Sequence, residues 1–203
     1  MSMVAEPYAY FRQFLPERSE LLLSLEREAR RERIPIIGPA AGQLLYLLAR
    51  LSKAGRIIEL GTAFAYSTIF LGLACRQIDG RVTSFESDPI MAARARANIE
   101  RAGLSDHVEV RCADALQSLA QWWDPVQMIF LDIEKEDYIT ALPHCARLLP
   151  LNGLLVVDNT GFQASDAFNQ AITDSSEWQI ANLWTFLPGH SPEQDGICIA
   201  LKT

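Results

Sequence analysis

Two short stretches combine residues with the right chemistry to hold a cation. Asp132-Ile133-Glu134-Lys135 and Asp158-Asn159 bring together carboxylates, an amide oxygen and a lysine. Each follows an apolar run, Val126–Leu131 and Leu154–Val157, so each falls where a strand ends. Neighbouring residues on a strand point to opposite faces, so Asp158 and Asn159 converge only if the chain turns there; Gly161 suits that turn. Two carboxylates and an amide oxygen are hard ligands, suited to octahedral Mg²⁺ with positions left for water and substrate. His107, His144 and His190 fall outside this set, which disfavours zinc, and His190 reads as a surface-loop histidine.

A second set surrounds Ile57–Thr68. The run Ile57–Leu60 ends at a single glycine, Gly61, and a helical pattern begins at once. Glu86 lies 25 positions beyond Gly61, at the end of the next strand, where a carboxylate can accept both hydroxyls of a ribose. Asp114-Ala115 follows the third strand, where an adenine ring would lie: Asp114 can accept from its amino group, and Ala115 leaves room for the ring plane. Asp88 and Asp114 also read as helix N-caps. The turn lacks the glycines that let a backbone approach a pyrophosphate, and no P-loop lysine follows. S-adenosylmethionine, with a ribose and an adenine but no phosphate, fits better. Its contacts are assigned to Glu59, Gly61, Thr62, Ser67, Glu86, Asp114, Ala115 and Asp132, with Ser67 and helix-start N–H groups holding its carboxylate.

These residues need a frame that gathers strand ends on one edge. Arg56–Leu60, Arg81–Phe85, Val108–Cys112, Val126–Leu131 and Leu154–Val157 alternate with helical stretches, the pattern of a parallel, doubly wound α/β sheet. Several runs are apolar throughout, as strands covered on both faces are. Trp178–Leu187 and Gly196–Leu201, joined only by a loop, predict an antiparallel edge hairpin. Helices over Ser19–Arg33 and Ala40–Lys53 form an N-terminal extension (residues 1–53) to a core at 54–203, within one domain. The formal charge of −7 speaks against nucleic acid, and Arg27, Arg30, Arg31 and Arg33 are interleaved with glutamates as on a solvated helix face. No run is long and apolar enough for a membrane, and no secretory signal is present. Four widely spaced cysteines without C-x-x-C read as buried reduced thiols in a cytoplasmic protein.

Taken together, E-L-G-T-x-x-A-Y-S-T at Glu59–Thr68, the acid Glu86, A-D-A-L at Ala113–Leu116, F-L-D-x-x-K-x-x-Y at Phe130–Tyr138, V-V-D-N at Val156–Asn159 and D-G-I at Asp195–Ile197 resemble the cation-dependent class I O-methyltransferases. This is the caffeoyl-CoA and catechol O-methyltransferase group, and the likeness runs from about Gly42 to the C-terminus. The resemblance implies a Rossmann-like sheet of seven strands in the order 3-2-1-4-5-7-6, with the seventh antiparallel. It implies Asp132, Asp158 and Asn159 as metal ligands and Lys135 near the accepting oxygen. A vicinal diol on an aromatic acceptor would chelate the cation, and Lys135 would take its proton. A homodimer is the family expectation. Rival readings are methylation of RNA or protein, disfavoured by the charge and the absence of a D/N-P-P-Y motif, and a non-catalytic nucleoside binder, disfavoured by the intact Asp132, Lys135, Asp158 and Asn159 set. A nicotinamide-dependent oxidoreductase is disfavoured by the single glycine. Three departures from the family stand out: Ala65 where glycine is usual, a short segment after Asn159, and a long loop at Pro188–Gln194.

Overall fold

The computed structural model describes residues 3–203. Seven strands form one sheet in the order β3-β2-β1-β4-β5-β7-β6. They are β1 (Arg56–Leu60), β2 (Arg81–Glu86), β3 (Val108–Cys112), β4 (Met128–Leu131), β5 (Leu154–Val157), β6 (Trp178–Phe186) and β7 (Gln194–Lys202). The first five are parallel, while β7 runs antiparallel between β5 and β6. The closing hairpin thus inserts its second strand beside β5, and β6 becomes the edge.

Alternation along each strand divides the apolar residues between two layers. Ile57, Val82, Met128, Phe130 and Val156 face α2 (Glu20–Glu32), α3 (Gly38–Leu51), α4 (Tyr66–Arg76) and α5 (Pro89–Arg101). Ile58, Leu60, Phe85, Ile129 and Val157 face α6 (Ala115–Gln121), α7 (Tyr138–Leu148) and α8 (Asp166–Asp174). Each fully buried side chain of this size contributes about 1.5–3 kcal/mol, enough to fix the register at which the strand ends meet. Ser19 caps α2 by accepting from Leu22 N at 3.3 Å, and Leu22, Leu25 and Ala29 turn inward, so the leucine run covers the chain's own core.

Four details depart from the sequence reading. A short helix, α1 (Pro7–Arg12), precedes α2, and it buries no residue. Strand β4 begins at Met128 rather than Val126, and α3 begins at Gly38 rather than Ala40. Cys112 is exposed because β3 is an outer strand; only Cys75, Cys145 and Cys198 are buried, and burial pushes each of these thiols up to about 12. Among the described residues no helix is long and apolar enough to cross a membrane.

Candidate active site

The carboxyl ends of β1 to β4 open onto a cavity of about 410 Å³, the edge at which open α/β sheets take ligands. Gly61, Glu86, Asp114, Ala115, Asp132 and Lys135 all line it. Glu134 and Asp137 add two more acids, and Lys135 is the only basic group among the described lining residues. The cavity is therefore strongly acidic.

Glu86 is held from two sides. Its Oε2 accepts from Ala63 N at 2.8 Å and its Oε1 from Asp88 N at 2.9 Å. Each oxygen keeps a second lone pair, so the fixed carboxylate can still receive a pair of hydroxyls. Asp114 caps α6 by accepting from Gln117 N at 2.7 Å and also lines the cavity. Asp132 Oδ1 lies 3.2 Å from Lys135 Nζ, which also donates to the Ile133 carbonyl at 3.0 Å. Burial first, and then the charge of Asp158, push Asp132 up to about 6 against the opposing pull of Lys135.

Gly61 adopts φ +95, and an added Cβ would lie 1.9 Å from the Asp132 carbonyl oxygen. Only glycine lets the turn after β1 and the end of β4 approach this closely. Ala65, at φ 76, carries a methyl group in a conformation that glycine adopts without cost.

Three residues assigned to the cofactor do not line the cavity: Glu59, Thr62 and Ser67 are all buried behind it. Glu59 Oε2 accepts from Thr68 Oγ1 and Ser84 Oγ, each at 2.5 Å, and Thr62 Oγ1 shares a hydrogen bond with the same Ser84 hydroxyl. Glu59 thus organises hydroxyls beneath the turn. Burial pushes it up to about 7, although the hydroxyls of Ser67, Ser84 and Thr68 oppose the shift.

Asp158 and Asn159 lie beyond β5, apart from the lining of this cavity. Both are buried, and the left-handed backbone of Asn159 (φ 50) makes the turn that lets them diverge from the strand. His190 is not a surface residue: it is 4% exposed, and its Nε2 lies 2.9 and 2.8 Å from the two oxygens of Asp158. Burial alone would lower the His190 value, but the hydrogen bond and charge of Asp158, with the Pro192 carbonyl, outweigh it and hold it above the usual 6.5. Asn159 Nδ2 donates to Asp195 Oδ2 at 2.6 Å, and Asp195 Oδ1 accepts from Gly161 N and Gly196 N. No spacing in the sequence points to the His190 contact; the D-G-I motif did flag Asp195, though not its role. A second cavity, about 590 Å³, is lined by Arg30, Arg33 and His190 and shares Ile34 and Pro35 with the first.

A sheet in the order 3-2-1-4-5-7-6 with an acidic cavity at the ends of β1 to β4 is the class I methyltransferase architecture that the resemblance implies. The O-methyltransferase family model matches residues 15–179, and the chain belongs to that family. It is 39% identical over 127 residues to the catechol O-methyltransferase of Niastella koreensis, covering 61% of this chain and 57% of that protein. It is 37% identical over 119 residues to the catechol O-methyltransferase of Mycobacterium tuberculosis, covering 58% and 54%. The chain thus matches just over half the length of these curated relatives. Among solved structures, the Bacillus cereus O-methyltransferase in complex with S-adenosylhomocysteine superposes with a TM-score of 0.86 at 27% identity, covering 97% of both chains. TomG from Streptomyces achromogenes, an O-methyltransferase of tomaymycin synthesis solved with S-adenosylmethionine, gives 0.83 at 28% identity, covering 97% and 96%.

Proposed function

We propose that this chain is an S-adenosylmethionine-dependent O-methyltransferase acting on a small aromatic hydroxyl acceptor of the catechol type named for its relatives. The observation that carries this reading is the charge of the cavity. Glu86, Asp114, Asp132, Glu134 and Asp137 line it against Lys135 alone. Such a lining repels the pyrophosphate of a dinucleotide and attracts a sulfonium. Bound there, S-adenosylmethionine supplies an electrophilic methyl group that passes to the acceptor oxygen as the carbon–sulfur bond breaks.

The chain's own residues do the rest. Glu86 receives the ribose hydroxyls, and Asp114 with Ala115 flanks the adenine. Asp132, pushed up to about 6, is a carboxylate matched to accept the acceptor's proton near neutral pH. Lys135 orients it. Because Lys135 Nζ already donates to Asp132 and to the Ile133 carbonyl, it acts here as a fixed donor rather than as the base first expected. The second cavity, reached across Ile34 and Pro35, offers the acceptor a place beside the methyl group. Holding both partners in that geometry is the main source of rate.

The cation implied by the resemblance does not fit the donor set as it stands. Both Asp158 oxygens face His190, and Asp132 Oδ1 pairs with Lys135 in the first cavity.

Methyl transfer from labelled S-adenosylmethionine to a panel of catechols tests the reading. Turnover should appear with the wild type and fall about 100-fold or more in Asp132→Asn, with the acceptor KM changed less. A panel-wide absence of transfer, or full activity in Asp132→Asn, contradicts it.

A further inference from the structure

The long loop between β6 and β7 places a side chain where the resemblance expects a cation. Asp158 and His190 are 3% and 1% exposed at their side chains, with both carboxylate oxygens directed at the single nitrogen Nε2. The other ring nitrogen, Nδ1, lies 2.6 Å from the Pro192 carbonyl oxygen. The ring is thus held at both nitrogens, between the Pro192 carbonyl and the Asp158 carboxyl group.

The loop is built to keep it there. Ser191 N donates to the Ile36 carbonyl at 3.1 Å, His190 N to the Leu187 carbonyl at 3.0 Å, and Gly189 N to Glu193 Oε1 at 2.9 Å. Gly38 packs backbone to backbone against Gly189: a Cβ on Gly38 would lie 2.4 Å from the Gly189 carbonyl carbon. The start of α3 therefore clamps the loop down over Asp158.

The contacts of the other two expected ligands leave Asn159 Oδ1 and Asp132 Oδ2 unused, so Asp158 is the ligand that the loop closes. The Asn159 amide is drawn to Asp195, and Asp132 has its own cation in Lys135. Each of the two acids meets a separate side chain, Asp132 through Oδ1 with Lys135 and Asp158 through both oxygens with His190.

We propose that His190 occupies the oxygens Asp158 would offer a divalent cation: the metal site of the wider family is closed in this chain by its own imidazole, and methyl transfer runs without added metal. The turnover arm of the test rests on the methyltransferase reading, whereas the binding arm does not.

Metal-stripped protein is titrated calorimetrically with MgCl₂ and with MnCl₂ in the presence of S-adenosylhomocysteine. The wild type should show no saturable binding through the millimolar range, and His190→Ala should gain one-to-one binding at the freed Asp158. His190→Gln, which keeps an amide donor to Asp158, should stay metal-free and serves if the alanine variant fails to fold. Turnover of the wild type in excess chelator should equal that with Mg²⁺ added. Stoichiometric metal binding by the wild type that is lost in Asp158→Ala overturns the proposal. So does turnover abolished by chelator and restored by metal. Failure of folded His190→Ala to bind either metal overturns the claim that His190 is what closes the site.

Discussion

Replacing Gly61 by alanine puts the most strain on the least yielding contact in the site. The new Cβ would lie 1.9 Å from the Asp132 carbonyl oxygen and 2.9 Å from its carbon, both backbone atoms. Strand ends β1 and β4 must then separate by at least about 1 Å to reach even the shortest tolerated contact. That movement pulls on the hydrogen bond from Asp132 N to the Leu60 carbonyl, 2.9 Å long and next to the cavity. Losing it inside the protein costs about 1–3 kcal/mol. The backbone at φ +95 adds about 1–2 kcal/mol for any residue with a side chain. The total, about 2–5 kcal/mol, reaches the severe end of single substitutions. Urea unfolding measures it directly, and calorimetry with S-adenosylhomocysteine on the folded variant should show affinity weakened about tenfold or more, because Asp132 and Lys135 move with β4. A stability loss under about 1 kcal/mol with unchanged affinity would refute the close approach of the two strand ends and its role in shaping the cavity.

Two further outcomes follow from the residues beneath and beside that turn. Glu59, pushed up to about 7 from an ordinary 4.5, binds its proton more tightly in the folded state, so its contribution is complete below about 4.5 and is lost as pH rises to about 7. The loss is roughly 3 kcal/mol for a shift of this size, and Glu59→Gln should flatten that part of the stability curve in denaturant melts at pH 5 and pH 8; an unchanged slope would contradict the assignment. Ala65→Gly relieves a left-handed alanine at the cost of a more flexible unfolded chain and one buried methyl group, so stability should hold or rise by up to about 1 kcal/mol. A loss greater than about 1 kcal/mol in the same urea assay would show that the alanine conformation carries no strain.

Local pattern made most of the sheet legible. Apolar runs such as Ile57-Ile58 and Leu154–Val157 are continuous because helices cover both faces, and the sequence shows that directly. Glu86, Asp114 and Asp132 were legible for the same reason: each follows a strand whose end is plain in the sequence, and all three line the cavity. Glu59 also closes a strand, yet its side chain lies under the turn with Thr68 and Ser84 rather than in the cavity. Strand position alone does not say on which side of the next turn a carboxylate falls. His190 was read as a surface residue because its partner is 32 positions away and the contact depends on Gly38 and Gly189 closing the loop. Such a pairing leaves no periodic trace. Helix α1 was missed for a related reason: none of its residues is buried, so no apolar face announces it.

The central claim is that the acidic cavity at the ends of β1 to β4 holds a sulfonium nucleoside by its ribose. Calorimetric titration of the purified protein with S-adenosylhomocysteine and, separately, with NAD tests it most directly, using Glu86→Ala as the paired variant. One-to-one binding of S-adenosylhomocysteine, none of NAD, and affinity reduced about tenfold or more in the variant are the predicted results. Binding of NAD instead, or S-adenosylhomocysteine affinity unchanged in Glu86→Ala, would contradict the account.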